Sequence, residues 1–234
     1  PLCGNRNICF DKLEIFIRNK NKVTSKVISL KQIKNQKIGL KKKINEDLKK
    51  IISSRGTFDS TNIMGILNMT PDSFSDGGKF NTSRTAFKQI NLMIKSGANI
   101  IDVGGESTRP GSVTVLPHYE WIRIKDVIKK FKKKYPKILL SIDTRKSQIM
   151  SKSLKYKSDI INDVSSFNFD NQSIEIIRKH SIWKIIHHMQ GTPQTMQKNP
   201  KYNNVLLDIY DFFEHKINNQ FKKGKLSKKI ILDP

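Results

Sequence analysis

Residues 62–68 read Asn-Ile-Met-Gly-Ile-Leu-Asn, an apolar run that ends in an amide and meets the turn-rich stretch Met69-Thr70-Pro71-Asp72-Ser73. A short apolar run bounded by turn formers is the pattern of a strand covered on both faces. The unit recurs down the chain at Ala98–Val103, Ile138–Asp143, Asp159–Val164, Ile182–His188 and Lys229–Asp233. Helical patterns separate the runs. The clearest follows the second run, with Trp121, Ile124, Val127, Ile128 and Phe131 at i, i+3 and i+4 spacing. Strands that alternate with helices predict an α/β fold with a parallel sheet built from right-handed βαβ units.

Two architectures satisfy that alternation, an open doubly wound sheet and a (β/α)8 TIM barrel. The first run is not followed by Gly-x-Gly-x-x-Gly, which weighs against a dinucleotide-binding sheet. The polar residues at the ends of the runs weigh for the barrel: Asn68, Asp102, Asp143, Asn162, His188 and Asp233. A barrel gathers its strand ends on one face around a common axis, where barrel enzymes keep their chemistry. One strand-end Asp often does no more than cap the next helix. A polar group at every strand end has no such simple explanation. Amide, carboxylate and imidazole together donate to and accept from a flat heterocycle rich in hydrogen-bonding atoms.

Outward from that core the composition narrows the function. The chain has 234 residues, 36% of them hydrophobic, enough for one domain plus an extension. Net charge is +24, yet Arg supplies only 8 of the 44 basic residues, and Lys, Ile and Asn crowd every segment. That is the signature of drift in an AT-rich genome, and no aromatic interleaving marks a stacking platform, so no nucleic-acid partner is expected. Cys3 and Cys9 form no CxxC pair, which points away from a disulfide framework or zinc site and towards a reducing, cytoplasmic setting. No apolar run approaches the roughly 18–20 residues that span a bilayer, so no membrane partner is expected. The chain opens without Met or a signal pattern and stops on Ile230-Ile231-Leu232-Asp233-Pro234, which is expected of a fragment.

Residues 1–60 read as a Lys-rich N-terminal extension or linker, separate from a domain at 61–234. Glu14–Ile17 and Lys26–Leu30 predict short strands around a turn at residues 19–22, and 31–52 predict a solvated helix or an irregular linker. No chemistry is legible there. Two later loops carry more. Asn68 to Gly78 packs hydroxyls, carboxylates and a Gly-Gly hinge around Phe74 and Asp76, a composition suited to a lid. Gly104-Gly105-Glu106-Ser107-Thr108-Arg109-Pro110-Gly111 sets a hydroxyl beside an Arg after a strand-end Asp, which predicts an anion contact.

The segments MGILNMTPDSFSDGG, GANIIDVGGESTRPGS, SIDTRK, INDVSSF, HHMQGTPQTMQ and ILDP, in this order, resemble the successive motifs of the dihydropteroate synthase family from about residue 62 to 234. The resemblance implies a (β/α)8 barrel, usually a homodimer, that uses Mg2+. It implies a transferase of folate biosynthesis that joins 6-hydroxymethyl-dihydropterin pyrophosphate to para-aminobenzoate and releases pyrophosphate, with sulfonamides as inhibitors. Carried over by motif, Asn68 would hold the Mg2+ on the leaving pyrophosphate. Asp102, Asp143, Asn162 and Asp233 would line the pterin pocket, and Asn68, Arg109 and Asp143 would serve catalysis. Thr108 and Arg109, with Phe74 and Asp76 of the first loop, would contact pyrophosphate and help form the para-aminobenzoate site. His188 matches the family's His at the end of the fifth strand.

The implied chemistry is physically coherent. Metal and Arg would stabilise the departing charge, buried carboxylates would favour a cationic pterin, and lid loops would keep water from it. The aniline nitrogen is already a nucleophile and needs no activating base. Three departures stand out. His187 sits where the family usually has an apolar Met, Ser147 where a Pro often starts the third helix, and the family's seventh and eighth strands, with their Lys and Arg/His pair, lie beyond Pro234. Six strands alone expose two unpaired edges, so turnover is expected from the full-length protein and not from these 234 residues. Competing expectations are another pterin-binding barrel such as a folate-dependent methyltransferase domain, a non-catalytic barrel acting as a binding partner, and fusion to an upstream pterin pyrophosphokinase.

Overall fold

The first elements come from the two apolar segments ahead of residue 31. β1 (Lys12–Asn19) and β2 (Lys22–Ser29) pair antiparallel, from Lys12 opposite Ser29 to Asn19 opposite Lys22. A two-stranded ribbon is marginal alone. α1 (Ile38–Ile52) covers it, because Leu40, Ile44 and Leu48 recur every fourth residue and pack with Leu13, Ile15, Ile28 and Ile33. The structure, a computed structural model, describes all residues except 1, 3, 6, 20, 21, 55, 59, 71–82, 108–111, 193, 194, 197, 198 and 222–228. The chain divides into two units, residues 1–62 and 63–234.

The second unit alternates without exception among the described residues: β3 (Met64–Asn68), α2 (Ser83–Lys95), β4 (Ile100–Gly104), α3 (Pro117–Lys134), β5 (Leu139–Asp143) and α4 (Ser147–Leu154). β6 (Ile160–Asp163), α5 (Ser173–Arg178), β7 (Trp183–His187), α6 (Val205–Lys216, extended by a π turn to Phe221) and β8 (Ile230–Asp233) follow. Adjacent strands are parallel, and their spatial order is their chain order, β3 through β8. A doubly wound sheet reverses that order at a switch point. Here it never reverses. Among the described residues six strands follow this order, which is the winding of a (β/α)8 barrel.

Strand parity sorts the side chains into two layers. Leu67, Ile101, Val103, Leu140, Ile142, Ile161 and Ile186 face the helices and join one core with Ala86 and Ile90 of α2, Ile124, Val127, Ile128 and Phe131 of α3, and Ile149 and Met150 of α4. Each such side chain stabilises the fold by roughly 1.5–3 kcal/mol when fully buried. Gly97, at φ +103°, ends α2: its N–H reaches Ile94 O and the N–H of Ala98 reaches Met93 O. These paired bonds over a left-handed glycine turn the chain straight into β4. Among the described residues no helix is long and apolar enough to cross a membrane.

Candidate functional site

With the apolar side chains of each strand turned to the helices, the alternate positions turn inward. Register then aligns the polar ones. Asn68 lies opposite Gly104, Gly104 opposite Asp143, and Asp143 opposite Asn162. His187 lies opposite Asp233. Asp102 sits one rung lower, opposite Ser141. Gly104 makes room in the row: a Cβ there would stand 3.1 Å from Asp143 Oδ2 and 3.6 Å from Asn68 Oδ1. Carboxylate and amide therefore share the space above a bare backbone.

The floor of this row is electrostatically loaded. Asp102 is 5% exposed, its Oδ2 accepts from Asn162 Nδ2 at 3.0 Å, and its Oδ1 is buried without a partner. Burial raises its pKa, and the neighbouring Ser141 hydroxyl and the Asn162 amide offset part of that rise. Burial also pushes Asp143 well above the usual carboxylate range, and the negative charge of Asp102 pushes it further. Two buried carboxyl groups that resist ionising are suited to a ligand carrying N–H donors or positive charge. Among the described residues no three His, Cys, Asp or Glu side chains converge as a metal cage.

The histidine pair falls differently from the sequence expectation. β7 ends at His187, whose ring lies between Asn162 Oδ1 (2.6 Å from Nε2) and Asp233 Oδ2 (3.1 Å from Nδ1). His188, the residue expected to face the site, sends its ring outward onto Phe212 and Tyr202, with centroids 5.1 and 5.7 Å away, while its N–H donates to Asp233 O. The cause is parity: Ile186 is committed to the helix core, so its neighbour His187 turns inward. Of the other expected site residues, Asn68, Asp102, Asp143, Asn162 and Asp233 share the inward layer, whereas Phe74, Asp76, Thr108 and Arg109 lie outside the described residues.

A second set of groups, which sequence reasoning did not single out, braces the loops after β4 and β5. Lys146 Nζ lies 2.5 Å from Glu120 Oε2 and 2.9 Å from Glu106 Oε2. Arg145 meets Glu106 through Nε at 3.0 Å, and Thr144 Oγ1 donates to Glu120 Oε1 at 2.6 Å. All are buried. Burial would lift Glu106, but Arg145 and Lys146 hold it below the usual range; Glu120, with less compensation, stays raised by burial. Asp163 performs a similar service after β6. Its carboxylate accepts from Ser165 N, Ser165 Oγ and Phe167 N, holding Ser166 and Phe167 at φ +53° and +62°. A cavity of about 390 Å3 opens beside these loops, lined by Arg145, Ser166, Phe169, His187, Met189 and Phe212 among others.

Comparison with known proteins follows the same residues. The family model of pterin-binding enzymes matches residues 64–234. The dihydropteroate synthase of Escherichia coli is 41% identical over 172 residues, which cover 74% of this chain and 60% of that enzyme. The solved dihydropteroate synthase of Yersinia pestis, in complex with a sulfonamide drug, superposes with a TM-score of 0.68 at 38% identity over 74% of this chain and 62% of that one. The Burkholderia cenocepacia enzyme complexed with 7,8-dihydropteroate gives 0.64 at 32% identity over 76% of this chain and 59% of that one. The chain thus spans about three fifths of the length of the curated relatives it matches.

Proposed function

The chain belongs to the pterin-binding enzyme family, and from that premise we propose that the protein is a dihydropteroate synthase. It joins 6-hydroxymethyl-dihydropterin pyrophosphate to para-aminobenzoate. The carbon–oxygen bond to pyrophosphate breaks, the aniline nitrogen bonds to the freed methylene carbon, and that nitrogen gives up a proton. The observation that carries this reading is the inward row of Asn68, Asp143 and Asn162 with Asp102 beneath and Asp233 beside it.

In this assignment Asp102, Asp143, Asn162 and Asp233 receive the pterin ring. Their carboxyl groups accept from its N–H edge and favour positive charge on the ring as the leaving group departs. His188, turned outward, backs the wall beyond β7 through its ring contact with Phe212. Thr108 and Arg109, with Phe74 and Asp76, hold the pyrophosphate and the para-aminobenzoate, and the loops carrying them exclude water. The donor set fits Mg2+: that ion favours a few hard oxygen ligands and keeps its remaining positions for water and substrate phosphate, and Asn68 Oδ1 is such an oxygen beside Asp143. Bound there, Mg2+ supplies electrostatic stabilisation of the leaving pyrophosphate. Sulfonamides compete for the para-aminobenzoate subsite, and the working assembly is a homodimer in the cytoplasm.

The test is pyrophosphate release by the full-length protein. Release should require both substrates and Mg2+, should be blocked by a sulfonamide, and should fall at least tenfold, about 1.4 kcal/mol, in Asp143→Asn. Pyrophosphate release that ignores para-aminobenzoate would refute the assignment.

A further inference from the structure

We propose that His187 is a positioning residue of the ring-binding pocket, and that it fixes which way the Asn162 amide faces, giving the pocket two hydrogen-bonding patterns that share one proton. The inference rests on the pterin-site reading for its consequence in binding. Its geometric core does not.

Four side chains form a chain across the inward layer: Asp233, His187, Asn162 and Asp102. The contacts are 3.1, 2.6 and 3.0 Å in that order. With Asn162 Nδ2 donating to Asp102, its Oδ1 must accept from His187 Nε2. His187 Nδ1 faces the Asp233 carboxylate, which also only accepts when ionised. Both ring nitrogens then carry hydrogen, and His187 is a cation while Asp102 is an anion.

Take the proton from Nε2 and that contact fails, because two lone pairs face each other at hydrogen-bond distance. A half-turn of the Asn162 amide repairs it: Nδ2 now donates to Nε2, and Oδ1 turns towards Asp102. Oδ1 can bond there only if Asp102 carries a proton. The second pattern is therefore neutral His187 with Nδ1–H, reversed Asn162 and protonated Asp102. Both patterns hold the same number of protons. The alternative tautomer, with Nε2–H, would leave the Nδ1 lone pair against Asp233.

The charged groups around the ring do not select one pattern outright. Asp233 from β8 and Asp102 from β4 favour the cation, while burial lowers the pKa of His187 and raises that of Asp102. Asp143 from β5 stands next to Asp102, where the two carboxyl groups oppose each other's ionisation, and Arg145 lines the same cavity as His187. A ring bound over Asn162 reads a carbonyl on one side and an N–H on the other, and the order of the two is set by where the proton sits. A ligand edge that suits one order thereby selects the matching protonation state.

Nitrogen-15 NMR of the imidazole rings in the full-length protein tests this without reference to activity. The two patterns hold equal numbers of protons, so rising pH does not interconvert them but removes the shared proton. The expected result is an imidazolium signal at low pH that gives way to the Nδ1–H tautomer. In Asp102→Asn that conversion should move to lower pH, because the anion favouring the cation is gone. An Nε2–H tautomer at high pH, or a midpoint that Asp102→Asn leaves in place, would overturn the proposal. Dihydropterin affinity supplies the second arm. His187→Met fills the space without a hydrogen bond and should weaken binding about five- to tenfold, the equivalent of one net hydrogen bond. His187→Gln can still bond Asn162 and should recover most of that loss, but without the wild-type pH dependence. Equal affinity in wild type and His187→Met would also overturn it. Wild-type protein that binds no dihydropterin would sink the pterin-site reading alone, since the NMR result decides the histidine's role independently.

Discussion

Replacing Lys146 by Met separates charge from packing in the braced loops of the site. The Lys146 ammonium is held by Glu120 at 2.5 Å and Glu106 at 2.9 Å, and the three side chains are 5%, 0% and 4% exposed respectively. Met keeps most of the aliphatic stem but removes the cation. Among the described residues Glu106 retains Arg145 and the Val115 N–H, whereas Glu120 retains only the Thr144 hydroxyl. Breaking a buried pair costs about 3–5 kcal/mol when the remaining charge stays ionised. Glu120 has an escape, which is to take up a proton. Its pKa is already raised by burial with Lys146 opposing. Neutralising an ordinary glutamate (pKa near 4.3) at pH 7 costs at most about 3.7 kcal/mol, and at pH 5 about 1 kcal/mol. The expected loss is therefore about 3 kcal/mol at pH 7, shrinking to about 1 kcal/mol at pH 5. The sign follows from linkage: the folded variant binds a proton that its unfolded chain lacks, so its stability falls as pH rises above 4.3 or so. Urea unfolding of the full-length protein, followed by the fluorescence of Trp121 and Trp183, reads this as a midpoint lowered by about 1–2 M at pH 7. Adding Glu120→Gln should return most of the loss. A deficit under about 1 kcal/mol, or one equal at pH 5 and pH 7, would show that the cluster contributes packing and no charge compensation.

Burial raises Asp163 to about 6. Its folded form therefore holds a proton that the unfolded chain releases near pH 4, and wild-type stability should fall between pH 4 and 6 by up to roughly 3 kcal/mol from this group. In Asp163→Asn that part of the slope should vanish, as measured by urea midpoints across the range. At Gly105 an added Cβ would lie 2.9 Å from the Glu120 carbonyl oxygen and 3.0 Å from Ile124 Cγ2, so Gly105→Ala must push α3 away and should destabilise by about 1–3 kcal/mol. At Gly104 the nearest atom is the Asp143 carboxyl oxygen at 3.1 Å, which can shift. Gly104→Ala should therefore keep a near-normal melting temperature while weakening dihydropterin binding. The reverse ranking would contradict the packing described for β4 and α3.

How far the sequence alone reached depended on the range over which each feature is encoded. The six strands were legible because each carries its own signal, an apolar run between turn formers, within a handful of residues. Barrel and open sheet were separable only through the convergence of strand-end polar groups, and the unreversed strand order bears that choice out. The histidine assignment missed by one residue because Trp183-Lys184-Ile185-Ile186-His187-His188 does not announce its phase. Lys184, a lysine fully buried on the helix side of β7, hides the alternation that would otherwise turn Ile186 outward and His187 inward. The brace was invisible for another reason. Glu106 and Arg145 stand 39 residues apart, Glu120 and Lys146 26 apart, and in so Lys-rich a chain each residue reads as one more solvated charge. Only the fold brings two acids and two bases together out of water. That explains why the motif SIDTRK holds more than its aspartate: Asp143 faces the pocket, and the three residues after it lock the loop that aims it.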